Sequence, residues 1–221
     1  MSYLDTGIYT IPVAARLLGV SQAKVRGWVS GYHHSHSAAV VRNELGVVGH
    51  RVALSFKNLI EGLFIKGFSE HFSIQAIRHM VVQARSLLDD EHPFARHIEF
   101  STDKRSIFAK IVRAGMEAEL VNLRSRNLAM EEIMRPFLTN TVMYGQVYAK
   151  QWHPRPDDAP NVFLAPNVAF GQPVIERVPT RALFDAVKAE RGDFDTVARW
   201  YELPVSAVKE AHSFQKRFAV H

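Results

Sequence analysis

The chain has 221 residues, of which 47% are hydrophobic and 22% charged, a composition typical of a water-soluble globular protein. It contains no cysteine, which excludes disulfides, thiolate metal sites and a cysteine nucleophile. The apolar runs are too short for a membrane span, and the amino terminus lacks the pattern of a secretion signal. We therefore expect no membrane partner and a cytoplasmic location.

The positive charge is unevenly distributed along the chain. The net charge is +5, and residues 1–66 hold seven Lys and Arg against three acidic residues. Residues 67–160 are balanced, and residues 161–221 contribute one further positive charge. Because sequence-independent affinity for DNA comes from neutralising phosphates, contact with DNA is expected in the first third.

Residues 9–31 predict a helix-turn-helix within this basic third. Pro12 is tolerated in a first helical turn, where its missing N–H would have no partner in any case. Gly19 is expected to end the first helix, and Ser21 to cap the start of the second. In such a motif the second helix enters the major groove of DNA.

The second helix has a narrow predicted outer face. With Val25 pointing inward, Trp28, Val29 and Gln22 fall near the buried side, while Ala23 and Gly27 lie outermost. Lys24 and Arg26 flank that line, where they can reach phosphates or guanine edges. The predicted DNA-binding residues are Ser21, Gln22, Ala23, Lys24, Arg26, Gly27, Ser30 and Arg42. The alternative is a structural helical bundle with a solvated basic face.

The next segments predict a wing and two helices. Residues 31–51 are typical of a loop-and-strand extension that could form a wing beside the first helix pair. A helix is expected after Ser55, and another after Ser73 that ends before Pro93.

The middle of the chain predicts short, mixed elements. Residues 97–112 alternate as in a hairpin, and Ala129–Phe137 favours a short helix. Val142–Trp152 is interpreted as one strand, and the three prolines of residues 153–160 predict a linker.

The carboxyl-terminal third predicts a second helix-turn-helix-like unit of three helices, preceded by short strands at 162–164 and 171–175. Asp193 and Ser206 are the expected caps of its last two helices. With Val208 inward, Glu210 points outward from the last helix, and an acid there argues against insertion into a groove. We interpret this unit as an association module. The last helix has an apolar stripe that consists of Val208, Ala211, Phe214 and Phe218. This stripe either builds a homodimer or closes the unit's own core.

Two groups of side chains resemble metal or catalytic sites only weakly. His33, His34 and His36 have a spacing that can bind a divalent cation, but no carboxylate or thiol lies nearby to complete a coordination shell. Proximity to phosphates or solvent is the favoured interpretation. His92 and His97 flank Pro93-Phe94, and we expect them to be cations at a helix carboxyl terminus. The acidic run 89–91 is expected to be a solvated helix end. No motif predicts an enzyme or a cofactor.

Three stretches together resemble a known family. YTIPVAARLLGVSQAKVRGWVSG resembles the helix-turn-helix of MerR-like regulators, and LSFKNLIEGLFIKGF with QAIRHMVVQARSLLDDEHPFA is similar to the following region of VapB45-like antitoxins. The ending FGQPVIERVPTRALFDAVKAERGDFDTVARWYELPVSAVKEAHSF resembles a homeodomain-like antitoxin domain. The family loop P-V-I-x-G-T-R-x-P is shorter here, because Glu176 and Arg177 lead directly to Val178.

The resemblance implies the antitoxin of a type II toxin–antitoxin pair, which binds its own promoter and neutralises a PIN-domain ribonuclease. The alternative is a stand-alone dimeric transcriptional regulator; a metal-dependent enzyme around the histidines is the third hypothesis. A homodimer is expected on a palindromic site. Because a PIN site is a cluster of carboxylates, a long cation is suited to block it. The candidate toxin-binding residues are Arg177, Arg181, Lys216 and Arg217.

The sequence thus predicts a mainly α fold with minor β structure (α+β). Three regions are expected: a DNA-binding domain over 1–92, a connecting region with helical and β-hairpin structure over 93–160, and an association domain over 161–221.

Overall fold

The computed structural model describes residues 6–31, 38–96, 110–115 and 141–219. The fold is mainly α with minor β. The α-helices with both ends in these residues are α1 Ile11–Leu18, α2 Gln22–Ser30, α3 Phe56–Ser69, α4 Ile74–Leu88, α5 Thr180–Ala189, α6 Phe194–Trp200 and α7 Val205–Ala219. The strands are β1 Tyr9–Thr10, β2 Val47–Val48, β3 Arg51–Leu54, β4 Val142–Tyr144, β5 Ala149–Trp152, β6 Val174–Ile175 and β7 Val178–Pro179.

Short polar side chains cap the starts of α3, α4 and α6, as the sequence predicts. The Ser55 hydroxyl accepts the Asn58 N–H at 3.2 Å, and the Asn58 side chain accepts the Ser55 N–H at 3.1 Å. Ser73 caps α4 through the Ala76 N–H, and Asp193 caps α6 through the Thr196 N–H. Each bond satisfies an amide that has no partner within its own helix. The last helix differs, because it begins at Val205 and so places Ser206 in its first turn.

The helix-turn-helix is followed by a wing, as expected for the region after residue 31. β2 and β3 form an antiparallel hairpin in which Val47 faces Val52. β3 also pairs with β1, so the sheet order is β1-β3-β2. Because β1 leads directly into α1, this small sheet joins the wing to the helix-turn-helix.

One hydrophobic core joins the first four helices to the middle of the chain. It contains large side chains from α2 and α3, such as Trp28 and Phe64, and also Phe94 and Trp152. Phe94 stacks on Phe64 with ring centroids 5.4 Å apart. Thus residues of the predicted connecting region 93–160, from Phe94 to Trp152, complete the core around the first four helices.

Two expectations for the middle of the chain are wrong in part, and a third falls on residues that are not described. Residues 110–115 are helical, so the predicted hairpin does not include 110–112. Val142–Trp152 is two antiparallel strands, because a turn at Gly145 closes a Gly145 N–H to Tyr148 O bond of 2.8 Å. Residues 97–109 and Ala129–Phe137 lie outside the described residues.

The predicted linker 153–160 is a packed segment. Ala159 is buried in the carboxyl-terminal core, and the His153 N–H donates to Thr141 O at 2.7 Å. Asp158 forms an ion pair with Arg217 of α7. The prolines of this segment restrict the path of the chain between the two cores.

The carboxyl-terminal unit has its own core and contacts the amino-terminal one. Leu183, Val197 and Val208 of its three helices pack together. The Tyr9 hydroxyl donates to Gly171 O at 2.8 Å, and the Arg16 guanidinium lies 4.8 Å from the centre of the Phe218 ring. The two cores therefore meet along β1 and α1.

We expect Gly62 of α3 to be required for the close packing of α1 against α3. A Cβ atom at this position would lie 2.9 Å from Leu18 Cδ1. We expect Gly62→Val to lower the free energy of unfolding by about 1–3 kcal/mol, because it overpacks the contact between α1 and α3. Gly67→Ala is the control in the same helix, since nothing lies within 4 Å of its Cβ position. Equal stabilities of the two variants in urea unfolding would contradict this assignment.

Candidate nucleic-acid interface

The turn between α1 and α2 has the geometry that the sequence predicts. Gly19 adopts a left-handed conformation with φ of 66°, and the Val20 N–H donates to Ala15 O at 3.0 Å. Ser21 then caps α2 by accepting the Lys24 N–H at 3.3 Å. A side chain at position 19 would be strained in this conformation, which explains the glycine.

α2 presents a basic outer face to solvent. Val25, Trp28 and Val29 are buried, as expected, and Lys24 and Arg26 are exposed. The other exposed predicted DNA-binding residues are Ser21, Gln22, Ala23 and Ser30. In this arrangement the two cations flank the small Ala23, so the helix axis can come close to a nucleic-acid surface.

Two positions of α2 differ from the helical-wheel expectation. Gly27 is buried, although it was expected on the outermost line. It has no side chain to project outward, and the chain returns to this end of α2, where Val40 and Val41 donate their N–H groups to Trp28 O. Gln22 is exposed instead of facing the core, because it lies in the first turn of α2, before the buried stripe begins at Val25.

The wing adds residues that the predicted site did not contain. Gly49 and His50 form its turn with φ values of 54° and 67°, the left-handed pair that a two-residue hairpin needs. Val47, 67% exposed, and Arg51 project from the hairpin. The signal for this turn in the sequence was Gly49 between the apolar Val47-Val48 and the strand residues that begin at Arg51.

Arg42 is exposed but already has a partner. Its guanidinium lies 2.8 Å from the Glu91 carboxylate, and its carbonyl accepts the Asn58 amide at 2.7 Å. A phosphate would have to compete with Glu91 for this cation. Arg42 is therefore a weaker candidate for DNA contact than Lys24 or Arg26.

A buried ionic cluster lies behind the wing. His92 Nδ1 is 3.0 Å from Glu61 Oε2, and His92 Nε2 is 3.5 Å from Glu44 Oε2. Lys57 Nζ lies 3.4 Å from the same Glu44 oxygen. Since Glu44 belongs to the segment that leads into β2, the cluster attaches the base of the wing to α3.

The cluster shifts the pKa of each of its acids and of its histidine. Burial alone would lower the pKa of His92, but hydrogen bonds to Glu44 and Glu61 outweigh it and raise that pKa to about 9. The hydrogen bond from His92 lowers the pKa of Glu44 to about 2. Burial raises the pKa of Glu61, whose Oε1 has no hydrogen-bond partner in the described part of the chain. His92 is thus a cation held between carboxylates, not at a helix terminus as expected.

The acidic run at the end of α4 is more than a solvated helix end. Asp90 accepts the Tyr148 hydroxyl at 2.9 Å and the His92 N–H at 2.7 Å. Glu91 pairs with Arg42 and lies 3.7 Å from Arg85. These carboxylates order the loop after α4, so they are committed to structure and are not free for a metal ion.

The carboxyl-terminal cations fall into two classes. Arg181 pairs with Asp185 at 2.7 Å, and Arg217 pairs with Asp158. Arg177 and Lys216 are exposed and have no ion pair among the described residues. Arg177 also lies at the tip of the β6–β7 hairpin with φ of 70°, next to Glu176 with φ of 46°. Non-glycine residues in this conformation are strained, a feature that is enriched at functional sites.

The apolar stripe of α7 is used within the chain. Val208, Ala211 and Phe214 are buried in the carboxyl-terminal core, and Phe218 packs against both cores. The stripe therefore closes the unit's own core, and these buried faces are not free for a second copy. Glu210 accepts the Asn161 N–H at 2.8 Å and its side-chain amide at 2.9 Å, so this acid also has a structural partner.

The whole described fold has a counterpart of known structure. The crystal structure of Rv2018 from Mycobacterium tuberculosis matches with a TM-score of 0.68 over 92% of this chain and 95% of that one, at 18% sequence identity. At this identity the likeness concerns the fold alone. No protein-family model and no curated protein matches the sequence.

The remaining candidate sites concern metal ions and the membrane. His33, His34, His36 and His97 lie outside the described residues. Within the described ranges, no three His, Asp or Glu side chains are grouped so that they could hold a metal ion. None of the helices described is both long and apolar enough to cross a bilayer.

Proposed function

We propose that this protein is a promoter-binding antitoxin of a type II toxin–antitoxin pair whose toxin is a PIN-domain ribonuclease. The observation that carries the DNA-binding part is the exposed basic face of α2, with Lys24 and Arg26 on either side of Ala23. The capped turn at Gly19 and Ser21 holds this helix, and the wing lies in the same small sheet as β1. The antitoxin part rests on the family resemblance of the sequence.

The carboxyl-terminal unit supplies the features suited to a toxin partner. Arg177 and Lys216 are exposed cations without a carboxylate partner in the described residues, which suits a site rich in acids. Trp200 is 60% exposed on α6, and tryptophan is enriched at the centres of protein interfaces. We assign toxin binding to this unit and DNA binding to the amino-terminal one.

Co-expression with the neighbouring reading frame tests the antitoxin part. The expected result is that the neighbour is a toxic ribonuclease and that this protein relieves its toxicity. Arg177→Glu with Lys216→Glu should reduce this relief, because reversed charges repel a carboxylate-lined site. Lys150→Glu is the control, as an exposed cation of β5 outside the carboxyl-terminal unit. A harmless neighbour would contradict the antitoxin assignment and favour the stand-alone regulator.

A further inference from the structure

An open cavity lies beside the turn of the helix-turn-helix. It has a volume of about 920 Å³ and is lined by α1, by the start of α2, by α3 and by the segment after β5. Three cations from separate parts of the chain line it: Arg16, Lys66 and Arg155. No acidic residue lines the cavity among the residues that the structure describes.

These cations have no carboxylate partner among the residues that the structure describes. None of the three forms an ion pair with a described residue, and all three are half-buried. Nε of Arg16 is buried without a hydrogen-bond partner in the described part of the protein. Like charges that share a partly buried cavity repel one another, so an anion would be attracted to this position.

The walls of the cavity also favour an anion of a particular kind. The amino terminus of α2 reaches it through Ser21 and Gln22, and first-turn amides there have no partner within the helix. Arg16 is held in place over the Phe218 ring, and Arg155 lies 6.0 Å from the centre of the Phe214 ring. Guanidinium groups that contact aromatic rings, a lysine and a helix amino terminus together match the several oxygens of a phosphate.

We propose that Arg16, Lys66 and Arg155 form a phosphate-binding site at the turn of the helix-turn-helix. The phosphate belongs either to the DNA backbone or to a soluble phosphorylated molecule. The first source rests on the proposed function and makes Arg155, from outside the helix-turn-helix, part of the DNA-binding surface. The second source would place a ligand in contact with the start of the recognition helix.

The test uses the full chain, with pyrophosphate and a mixed-sequence DNA duplex as separate probes. The variant carries Lys66→Gln and Arg155→Gln, which leave the packed Arg16 in place, and each single substitution is measured beside it. Lys150→Gln is the control, as an exposed cation that does not line the cavity. Thermal unfolding at constant ionic strength reports pyrophosphate binding, and the salt dependence of DNA affinity reports phosphate contacts.

Pyrophosphate is expected to raise the unfolding midpoint of the wild type and of Lys150→Gln. If the double variant shows no such rise, the result supports a site for soluble phosphates. A fall in the salt slope by about 0.9 per lost contact supports the DNA backbone as the source. If the double variant has the same midpoint shift with pyrophosphate and the same salt slope as the wild type, the phosphate site is overturned. The proposed function would still stand if the wild-type protein binds DNA. If pyrophosphate binds at the site but no DNA does, the site stands and the proposed function fails.

Discussion

Replacing His92 with alanine is expected to lower the free energy of unfolding by about 3–5 kcal/mol, the usual cost of removing one partner from a buried ion pair. The side chain of Glu61 is only 2% exposed, and without His92 its carboxylate would have no cation in contact. Glu44, at the base of the wing, would lose its hydrogen bond to His92 in the same step. Urea unfolding at neutral pH measures the effect.

The pH dependence of stability gives an independent test of this cluster. Because folding raises the pKa of His92 from 6.5 to about 9, its contribution is complete below pH 6.5 and is lost as the pH rises through 9. The shift corresponds to about 3 kcal/mol. Glu44 has the opposite sign: its contribution is present above pH 4.5 and is lost as the pH falls toward 2. The difference in stability between wild type and His92→Ala should therefore shrink between pH 6.5 and 9.

Two further variants distinguish the effect of losing the ion pair from the effect of losing packing contacts. His79→Ala removes an exposed histidine of α4 and should change the stability by less than about 0.5 kcal/mol. Adding Glu61→Ala to His92→Ala should cost less than the sum of the two single substitutions, since the stranded carboxylate is then gone. Strict additivity would mean that the two side chains do not interact in solution.

The sequence predicted those parts of the fold that depend on local interactions. Gly19, Ser21, Ser55 and Ser73 end or begin helices through bonds that span three to five residues, so their neighbours in sequence are sufficient to identify them. The helical period of α2 likewise predicted that Lys24 and Arg26 are exposed. Gly27 and Gln22 departed from that period: Gly27 is buried because chain from elsewhere packs against it, and Gln22 is exposed because it lies in the first turn of α2.

The parts that the sequence could not predict depend on long-range contacts. His92 and Glu61 are 31 residues apart, and Tyr9 and Gly171 are 162 apart. No periodicity or spacing links such pairs. The contacts of the predicted linker 153–160 have the same origin, since Asp158 pairs with Arg217 and Ala159 lies in the carboxyl-terminal core. The same long-range packing brings Lys66 and Arg155 to the turn after α1.

Replacing both Lys24 and Arg26 with alanine is expected to weaken binding to the protein's own promoter by about 10- to 100-fold. Each lost phosphate contact lowers the salt slope by about 0.9, and a lost guanine contact costs about 1–3 kcal/mol of discrimination. The single substitutions distinguish the two roles. If one cation reads a base, its loss should relax sequence preference at one position, whereas a phosphate contact should weaken all sequences alike.

The matched control for this prediction is Lys188→Ala, an exposed cation of α5 in the carboxyl-terminal unit. It should leave promoter affinity and salt slope unchanged, because the proposed DNA surface consists of α2 and the wing. Arg51→Ala, at the start of β3, is expected to have an intermediate effect if the wing lies against the backbone. Unchanged binding after loss of both Lys24 and Arg26 would exclude α2 as the recognition helix. A loss caused by Lys188→Ala instead would move the DNA surface to the carboxyl-terminal unit, where α5, α6 and α7 form the second three-helix arrangement.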